Sequence, residues 1–217
     1  NAIVTVGFFH ETYDKGIKDM TSVRLTHRHV LSREFMVANA NYNAMEVAQS
    51  TDPVLFEVLD YKTNATHSDI TILGGEDNFP MMTEDNYGKG RLFILNVPEN
   101  FADLYKLPKA VWRAMNKHLS MGQRAYLGCP AQFNFFAYDN NVYGIQSYRP
   151  MPETIQFIVR GECAGLRDIE SGKVYTEKLT MPKPGMKGDA TSVIPEETEY
   201  AFEIPFFPGQ LKFFEIL

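Results

Sequence analysis

The segment 87–119 constrains the fold most, because it contains a strand signal followed directly by a helix signal. A tight turn at Gly88-Lys89-Gly90 leads into an apolar run, residues 91–97, that predicts a β-strand. Pro108 suits the first turn of a helix, where its missing N–H costs nothing. Apolar residues then recur at helical spacing: Val111, Trp112, Met115 and Leu119. A strand followed by an amphipathic helix predicts the closing elements of an α/β layer.

The chain before this segment predicts further α/β structure. Residues 3–9 form a nearly continuous β-branched and apolar run, which indicates a strand covered on both faces. Tyr13, Ile17 and Met20 lie at helical spacing and predict a short helix within 10–20. A polar loop is expected at 39–52. Four more strands are predicted by apolar or alternating runs: 22–30, 33–38, 54–62 and 69–73.

The chain after Leu119 has a different pattern, with short alternating segments separated by turn signals. One signal, Asp139-Asn140-Asn141, joins two aromatic-rich runs and predicts a hairpin, since Asn tolerates positive φ. Spacing of roughly 8–12 residues between such segments is typical of a β-sandwich or barrel. The longest irregular segment is 181–195. The predicted strands are 124–127, 132–138, 142–148, 154–159, 166–169, 173–179, 200–204 and 211–216.

The sequence therefore predicts an α/β plus all-β protein. Residues 1–121 are expected to form a reduced flavodoxin-like α/β layer, and 122–217 an antiparallel β-sandwich, with the boundary near 120–123. Asn1-Ala2 is typical of a cleaved expression tag, so we expect the chain to be a segment of a longer protein.

Composition excludes several classes of protein. The net charge of −6, from 21 basic and 27 acidic residues without a basic run, argues against nucleic-acid binding. No apolar stretch reaches the length of a membrane-spanning helix. Without a signal peptide, the sequence leaves the compartment open between the cytoplasm and secretion from a bacterium. Two cysteines, Cys129 and Cys163, are too few for a disulfide framework and could pair only across neighbouring strands.

No residue is predicted to be catalytic. The sequence contains no GxSxG, GxGxxG or GxxxxGK[ST] motif, so no nucleophile elbow or phosphate-binding loop is expected. His27 and His29, at i and i+2 on a strand, are the nearest approach to a metal motif, but Arg24 and Arg28 beside them oppose a cation. The paired acidic residues lie in turns that are expected at the surface, so solvated carboxylates are favoured over a catalytic pair. We therefore predict no metal site and no cofactor.

Two polar residues, Asn100 and Asp103, are candidates for ligand binding. They lie in the loop 96–103, which follows the carboxyl end of a predicted strand, where open α/β sheets place their ligands. Capping of the next helix is the favoured interpretation, and binding of a hydroxylated ligand is the alternative.

Three tyrosines, Tyr138, Tyr143 and Tyr148, are candidates for stacking against sugars. They surround one predicted hairpin together with Phe136. Aromatic rings pack against the apolar faces of pyranoses as they do against other apolar groups. In a small sandwich most of these rings are expected in the core, so the stacking hypothesis requires one or two of them to be exposed.

The sequence resembles parts of multidomain glycoside hydrolases. YGKGRLFILNVPENFADLYKLP, residues 87–108, resembles the end of the class I glutamine-amidotransferase-like, flavodoxin-like domain of such enzymes. The trimerisation domain of family 42 β-galactosidases is one relative of that domain. Three later segments resemble the small C-terminal antiparallel β-domain: FNFFAYDNNVYGIQSYR, GLRDIESGKVY and YAFEIPFFPGQLKFFEIL.

The resemblance implies a supporting role. In those enzymes a TIM barrel carries the catalytic acid and nucleophile, and the chain is too short to include one. The amidotransferase-like domain in that setting normally lacks its Cys-His-Glu triad, and no cysteine precedes Cys129. Few helices separate the strands before Leu119, which departs from the full flavodoxin-like pattern.

We therefore expect a non-catalytic C-terminal accessory or oligomerisation fragment of a larger glycoside hydrolase-like protein. Its expected partners are the rest of the parent polypeptide and further copies of itself. The alternatives are a carbohydrate-binding module that uses the exposed tyrosines, and a stand-alone hydrolase that uses the loop 96–103.

Overall fold

The computed structural model of the protein consists mostly of β-strands. It describes residues 1–38, 45–180 and 198–217. Strands account for 54% of the structure and helices for 16%, which contradicts the predicted α/β class. The described residues divide into two compact units, residues 1–38 with 45–115 and residues 116–180 with 198–217. The predicted domain limits, 1–121 and 122–217, stay a prediction.

The first unit is built on a six-stranded sheet. Its strand order is β1-β6-β5-β4-β2-β3, in which β1 and β6 are parallel and all other neighbours are antiparallel. The strands are β1 (Ala2–Thr5), β2 (Arg24–Ala38), β3 (Met45–Asp60), β4 (Thr66–Gly74), β5 (Asp77–Tyr87) and β6 (Gly90–Leu95).

The predicted flavodoxin-like layer is wrong. Such a layer needs parallel strands, and each parallel pair needs a crossover connection of about a dozen residues or more. Here only residues 75–76 separate β4 from β5, and only residues 88–89 separate β5 from β6. Connections this short make antiparallel hairpins, so the sheet contains a single parallel pair.

The helical segments are short. The first unit contains α1 (Val6–Thr12) and the 3-10 turns Tyr13–Lys15, Ile17–Asp19 and Phe101–Lys106, whereas α2 (Lys109–Leu119) includes residues of both units. The prediction of a helix after Pro108 is close to α2, whose Trp112 N–H donates to the Pro108 carbonyl at 3.1 Å. Within the described residues, no helix is both long and apolar enough to cross a membrane.

The predicted strand 3–9 is wrong beyond Thr5. The Thr5 side chain accepts a hydrogen bond from the Phe8 N–H at 3.4 Å, which caps α1. Helix α1 then buries Val6 and Phe9 in a cluster with Leu59 of β3 and other apolar side chains. The predicted helix 10–20 is likewise replaced, after α1, by two 3-10 turns that meet at Gly16, whose φ is 111°.

Strands β2 and β3 are longer than predicted. Predicted strands 22–30 and 33–38 join into β2, which has register shifts between Leu25 and Arg28 and between Ser32 and Glu34. Strand β3 begins at Met45, inside the predicted loop, and residues 39–44 lie outside the described residues. Strand β5 was not predicted at all.

The second unit contains two antiparallel sheets. One has four strands, in the order β13-β14-β10-β7, and the other has five, in the order β12-β11-β15-β9-β8. The predicted irregular segment 181–195 lies outside the described residues. The strands are β7 (Ala125–Gly128), β8 (Phe133–Ala137), β9 (Val142–Ser147), β10 (Glu153–Arg160), β11 (Leu166–Asp168), β12 (Val174–Tyr175), β13 (Leu179–Thr180), β14 (Glu199–Phe206) and β15 (Leu211–Ile216).

The two sheets share one apolar core, so the second unit is a two-layer sandwich. Alternate residues of β10 and β14 contribute Phe157 and Phe202 from one sheet, and β9 and β15 contribute Ile145 and Phe214 from the other. The ring of Phe157 touches aromatic rings of the opposite sheet, with centroids 5.5–6.0 Å apart: Phe135, Tyr143 and Phe214.

Removal of the Phe157 ring tests the importance of this core. Phe157 is fully buried, so we expect Phe157→Ala to lower the free energy of unfolding by about 3–5 kcal/mol, through lost burial and the cavity it leaves. Denaturant unfolding followed by fluorescence measures the change. Phe207→Ala, at an exposed position, is the matched control and should cost about 0.5 kcal/mol or less. Equal losses in the two variants would contradict the proposed core.

Candidate functional site

The loop that follows β6 is held to the sheet by hydrogen bonds of its first residue, Asn96. Asn96 is fully buried; its N–H donates to the Met81 carbonyl at 2.8 Å and its Nδ2 to the Glu57 carbonyl at 2.7 Å. The amide thus joins the end of β6 to β3 and β5. This fixes where the candidate loop 96–103 leaves the sheet.

Asn100 and Asp103 lie together at the start of the 3-10 turn Phe101–Lys106. The Asn100 Oδ1 accepts from the Ala102 N–H at 3.2 Å, and its Nδ2 lies 3.5 Å from an Asp103 oxygen. Asp103 pairs with Lys106 at 2.9 Å, and their hydrogen bond raises the pKa of the Lys106 ammonium. These contacts match the capping interpretation, while ligand binding by the two residues stays a prediction.

Tyr143 lies inside the sandwich. It is only 6% exposed and stacks on Phe135, with ring centroids 5.4 Å apart and planes 4° apart. Burial removes solvent from its hydroxyl and raises the pKa of that group. Stacking against a sugar requires an open ring face, so the placement of Tyr143 does not fit the role considered for it.

Tyr138 and Tyr148 are the exposed members of the predicted tyrosine set. The Tyr138 ring is 6.2 Å from the ring of Phe213, at an interplanar angle of 51°. The Tyr148 hydroxyl donates to the Gln146 Oε1 at 2.7 Å. Asn100 and Asp103 belong to the first unit, whereas all three tyrosines belong to the second.

An exposed aromatic surface occupies the outer side of the five-stranded sheet. Gly144 of β9 pairs with Phe136 of β8 and with Phe213 of β15, so both phenylalanines flank the glycine on one face. Their chain neighbours Phe135, Tyr143 and Phe214 pack in the core, so this face points outward. We call Phe136, Tyr138, Gly144 and Phe213 the aromatic face.

Polar residues border the aromatic face on both sides. Gln146, which pairs with Asn134 and Leu211, lies in the next outward row along the strands. In the row on the other side, Arg167 forms an ion pair with Glu215. Each row is about 7 Å from the aromatic one, because two strand residues span that distance.

Sequence reasoning missed Gly144 and Phe213 as part of this surface. Two segments, FNFFA and LKFFEI, contain adjacent phenylalanines, and a strand sends neighbouring side chains to opposite faces. One Phe of each adjacent pair must therefore point outward, which is the signal that could have found the surface. Strand order, which brings β8 and β15 to the two sides of β9, could not be predicted.

A second missed group lies in the first unit. Glu57 is only 5% exposed; its Oε2 hydrogen-bonds to the Nε2 of His10, and its Oε1 has no hydrogen-bond partner among the described residues. The His10 ring lies 6.0 Å from that of His27, which adopts a φ of 58°. The signal was a single acid inside the apolar run VLFEVL. A carboxylate held against an imidazole is an arrangement that can orient a general base.

The histidines do not assemble into a metal site. His29 pairs with Glu99 at 3.0 Å, and the irregular backbone at His27 interrupts the regular alternation that the i and i+2 hypothesis assumed. Among the residues that the structure describes, no three His, Cys, Asp or Glu side chains are grouped to hold a metal ion.

Both cysteines are core residues of the sandwich. Cys129 and Cys163 pack in its interior and are not joined by a disulfide. Burial raises the pKa of the Cys163 thiol, which keeps it protonated and weakly nucleophilic at neutral pH.

A substitution distinguishes capping from ligand binding at Asn100. We expect Asn100→Ala to lower the free energy of unfolding by about 1 kcal/mol, because the Ala102 N–H loses its acceptor. Asn100→Ser keeps an acceptor without adding a charge beside Asp103 and should restore most of the stability. Thermal unfolding of both variants measures this; an Asn100→Ala variant as stable as the original chain would argue against capping.

Comparison with known proteins relates only part of the chain to a family. No curated protein matches the chain. The resemblance of residues 1–121 to an amidotransferase-like domain finds no support. A family model described as "Probable glycosyl hydrolase, C-terminal domain" matches residues 124–216, which include both sheets of the sandwich. Residues 124–216 are thus similar to the C-terminal domains of probable glycosyl hydrolases.

Proposed function

We propose that the chain is a non-catalytic C-terminal accessory part of a larger glycosyl hydrolase-related protein. The family match to residues 124–216 is the observation that carries this proposal. The matched segment runs from the first strand of the sandwich to the last, so the relation concerns a whole structural unit.

The construction of the sandwich supports an accessory role. Its interior is filled by apolar and aromatic side chains, such as Phe157, Phe202 and Phe214, so chemistry there would have to use an outer surface. Burial raises the pKa of the Cys163 thiol, which favours its unreactive protonated form. A packed sandwich of this kind is suited to support or to binding.

Exposed apolar side chains in the first unit support an interface with the rest of the parent or with another copy. Leu31 and Leu55 are opposite each other in the β2–β3 pairing and are both exposed. The Glu99 N–H donates to the Leu55 carbonyl, which places the start of the loop 96–103 beside this pair. Phe101 and Tyr105, on the 3-10 turn of the same loop, are exposed as well. Clustered exposed apolar groups are typical of interaction surfaces.

The size of the native gene product tests the proposal. An antibody raised against this chain should detect, in the cells that make the protein, a band several times larger than 24.7 kDa. A native band near 24.7 kDa would contradict an accessory fragment. The antibody must first detect the purified chain at its own size as a control.

A second candidate function is acid–base catalysis at the His10–Glu57 pair. The observation that favours it is a buried carboxylate with one oxygen on the imidazole and the other without a partner among the described residues. With Nε2 held by Glu57, Nδ1 of His10 is the nitrogen left to exchange a proton with a substrate or water. This corresponds to a stand-alone hydrolase, although it uses residues outside the loop 96–103.

A hydrolysis assay separates the two candidates. If the pair is catalytic, the purified chain hydrolyses at least one member of a panel of 4-nitrophenyl glycosides. Both His10→Gln and Glu57→Gln should then lower kcat/KM by about 100-fold, because the oriented base is lost. His118→Gln, on α2, is the control and should keep the activity. An inactive original chain would contradict the second candidate and agree with the first.

A further inference from the structure

We infer that the aromatic face of the sandwich is a binding site for a neutral oligosaccharide. This inference rests on the proposed relation to glycosyl hydrolases and names a ligand class for the exposed surface of the matched unit. The rings that carry it are Phe213 and Tyr138, with Phe136 beside them.

Gly144 allows two of the rings to lie close to the backbone of β9. A Cβ built at Gly144 would lie 3.1 Å from Cε1 of Phe213 and 3.4 Å from Cε2 of Tyr138. The two rings therefore lean over the backbone of β9 from opposite directions. A methyl group at this position would require the rings to move by a few tenths of an ångström, and a longer side chain would displace them further, so the glycine favours this arrangement.

The three aromatic side chains of this face are exposed to solvent. Tyr138 is 52% exposed, Phe136 42% and Phe213 36%, although Phe214, the neighbour of Phe213 on β15, is completely buried. Leaving aromatic area in water forgoes the free energy of burial, roughly 25 cal/mol per Å². Three such rings around one glycine are an ordered apolar surface that a ligand can cover.

Polar side chains lie beside the rings of the aromatic face. A pyranose presents an apolar C–H face and a rim of hydroxyl groups that need hydrogen-bond partners. Gln146 and Asn134 offer amide donors and acceptors on one side of the rings, and the Arg167–Glu215 ion pair offers both on the other. The Tyr148 hydroxyl already bonds to Gln146 and orients its amide.

These features fit a sugar better than a second protein chain. A stable protein interface buries about 800 Å² on each partner with an apolar centre. On this face the amides of Asn134 and Gln146 lie on one side of the rings and the Arg167–Glu215 ion pair on the other, with exposed Leu211 in the same row as the amides, so polar groups interrupt the apolar area. Because the charges of Arg167 and Glu215 offset each other, the border favours a neutral ligand over a charged one.

Binding to polysaccharides tests the inference. The purified chain is run through native gels that contain xylan, galactan, mannan, arabinan or β-glucan, and its retardation gives the affinity. We expect retardation by at least one polymer, and we expect Tyr138→Ala and Phe213→Ala each to weaken it about tenfold or more. Gly144→Leu should weaken it too, with all three rings still present, because they lose their arrangement.

Matched controls come from the first unit. Tyr87 is as exposed as Tyr138, at 52%, and Phe8 is a phenylalanine with the same exposed fraction. Tyr87→Ala and Phe8→Ala should bind like the original chain. Thermal unfolding of every variant confirms that lost binding is not lost folding.

Three outcomes would overturn the inference. They are no retardation by any polymer, equal retardation of the Tyr138→Ala and control variants, and a dimer in light scattering that Phe213→Ala dissociates. Failure of this inference can be distinguished from failure of the proposed function. A large native gene product without glycan binding overturns only this inference, whereas a native product near 24.7 kDa with ring-dependent binding overturns only the accessory role.

Discussion

The second unit depends on a single packed interior between its two sheets. Phe157 of β10 reaches the rings of Tyr143 and Phe214 in the opposite sheet, and each of these strands sends alternate residues into that contact. The pleat then forces the residues between them outward. Gly144 and Phe213 are exterior because Tyr143 and Phe214 are interior. The candidate surface is therefore a consequence of the core, and its geometry is fixed by the same strand pairing.

The first unit follows a different constraint, the shortness of its connections. Residues 75–76 and 88–89 leave room only for hairpins, which makes the sheet antiparallel apart from the β1–β6 pair. Helix α1 covers one face beside β6, and this brings His10 to Glu57 of β3. The buried carboxylate is thus placed by the packing of α1. Removing Glu57 from water is costly without a partner, and the His10 contact offsets part of that cost.

Sequence patterns predicted single elements of this protein better than their arrangement. Most strands after Leu119 were predicted close to their positions, because alternation and turn residues such as Asn140 and Asn141, both with positive φ, are local signals. The predicted strand 173–179 was wrong, since β12 and β13 are separate short strands in different sheets. The α/β layer was wrong because apolar strands look alike whether they pair in parallel or antiparallel. The candidate site could be located only once the strand register was known. Tyr143 and Gly144 are chain neighbours, and only strand pairing shows which of the two faces the core.

The most direct test of the account is a nuclear magnetic resonance titration of the whole chain with oligosaccharides. The fragments are prepared from xylan, galactan, mannan, arabinan and β-glucan. We predict that at least one fragment shifts the backbone amide signals of Gly144, Phe136 and Phe213. Signals of the first unit, with Tyr87 as the reference, should stay in place. Shifts confined to the first unit, or no shifts with any fragment, would contradict a glycan-binding face on a glycosyl hydrolase-related sandwich.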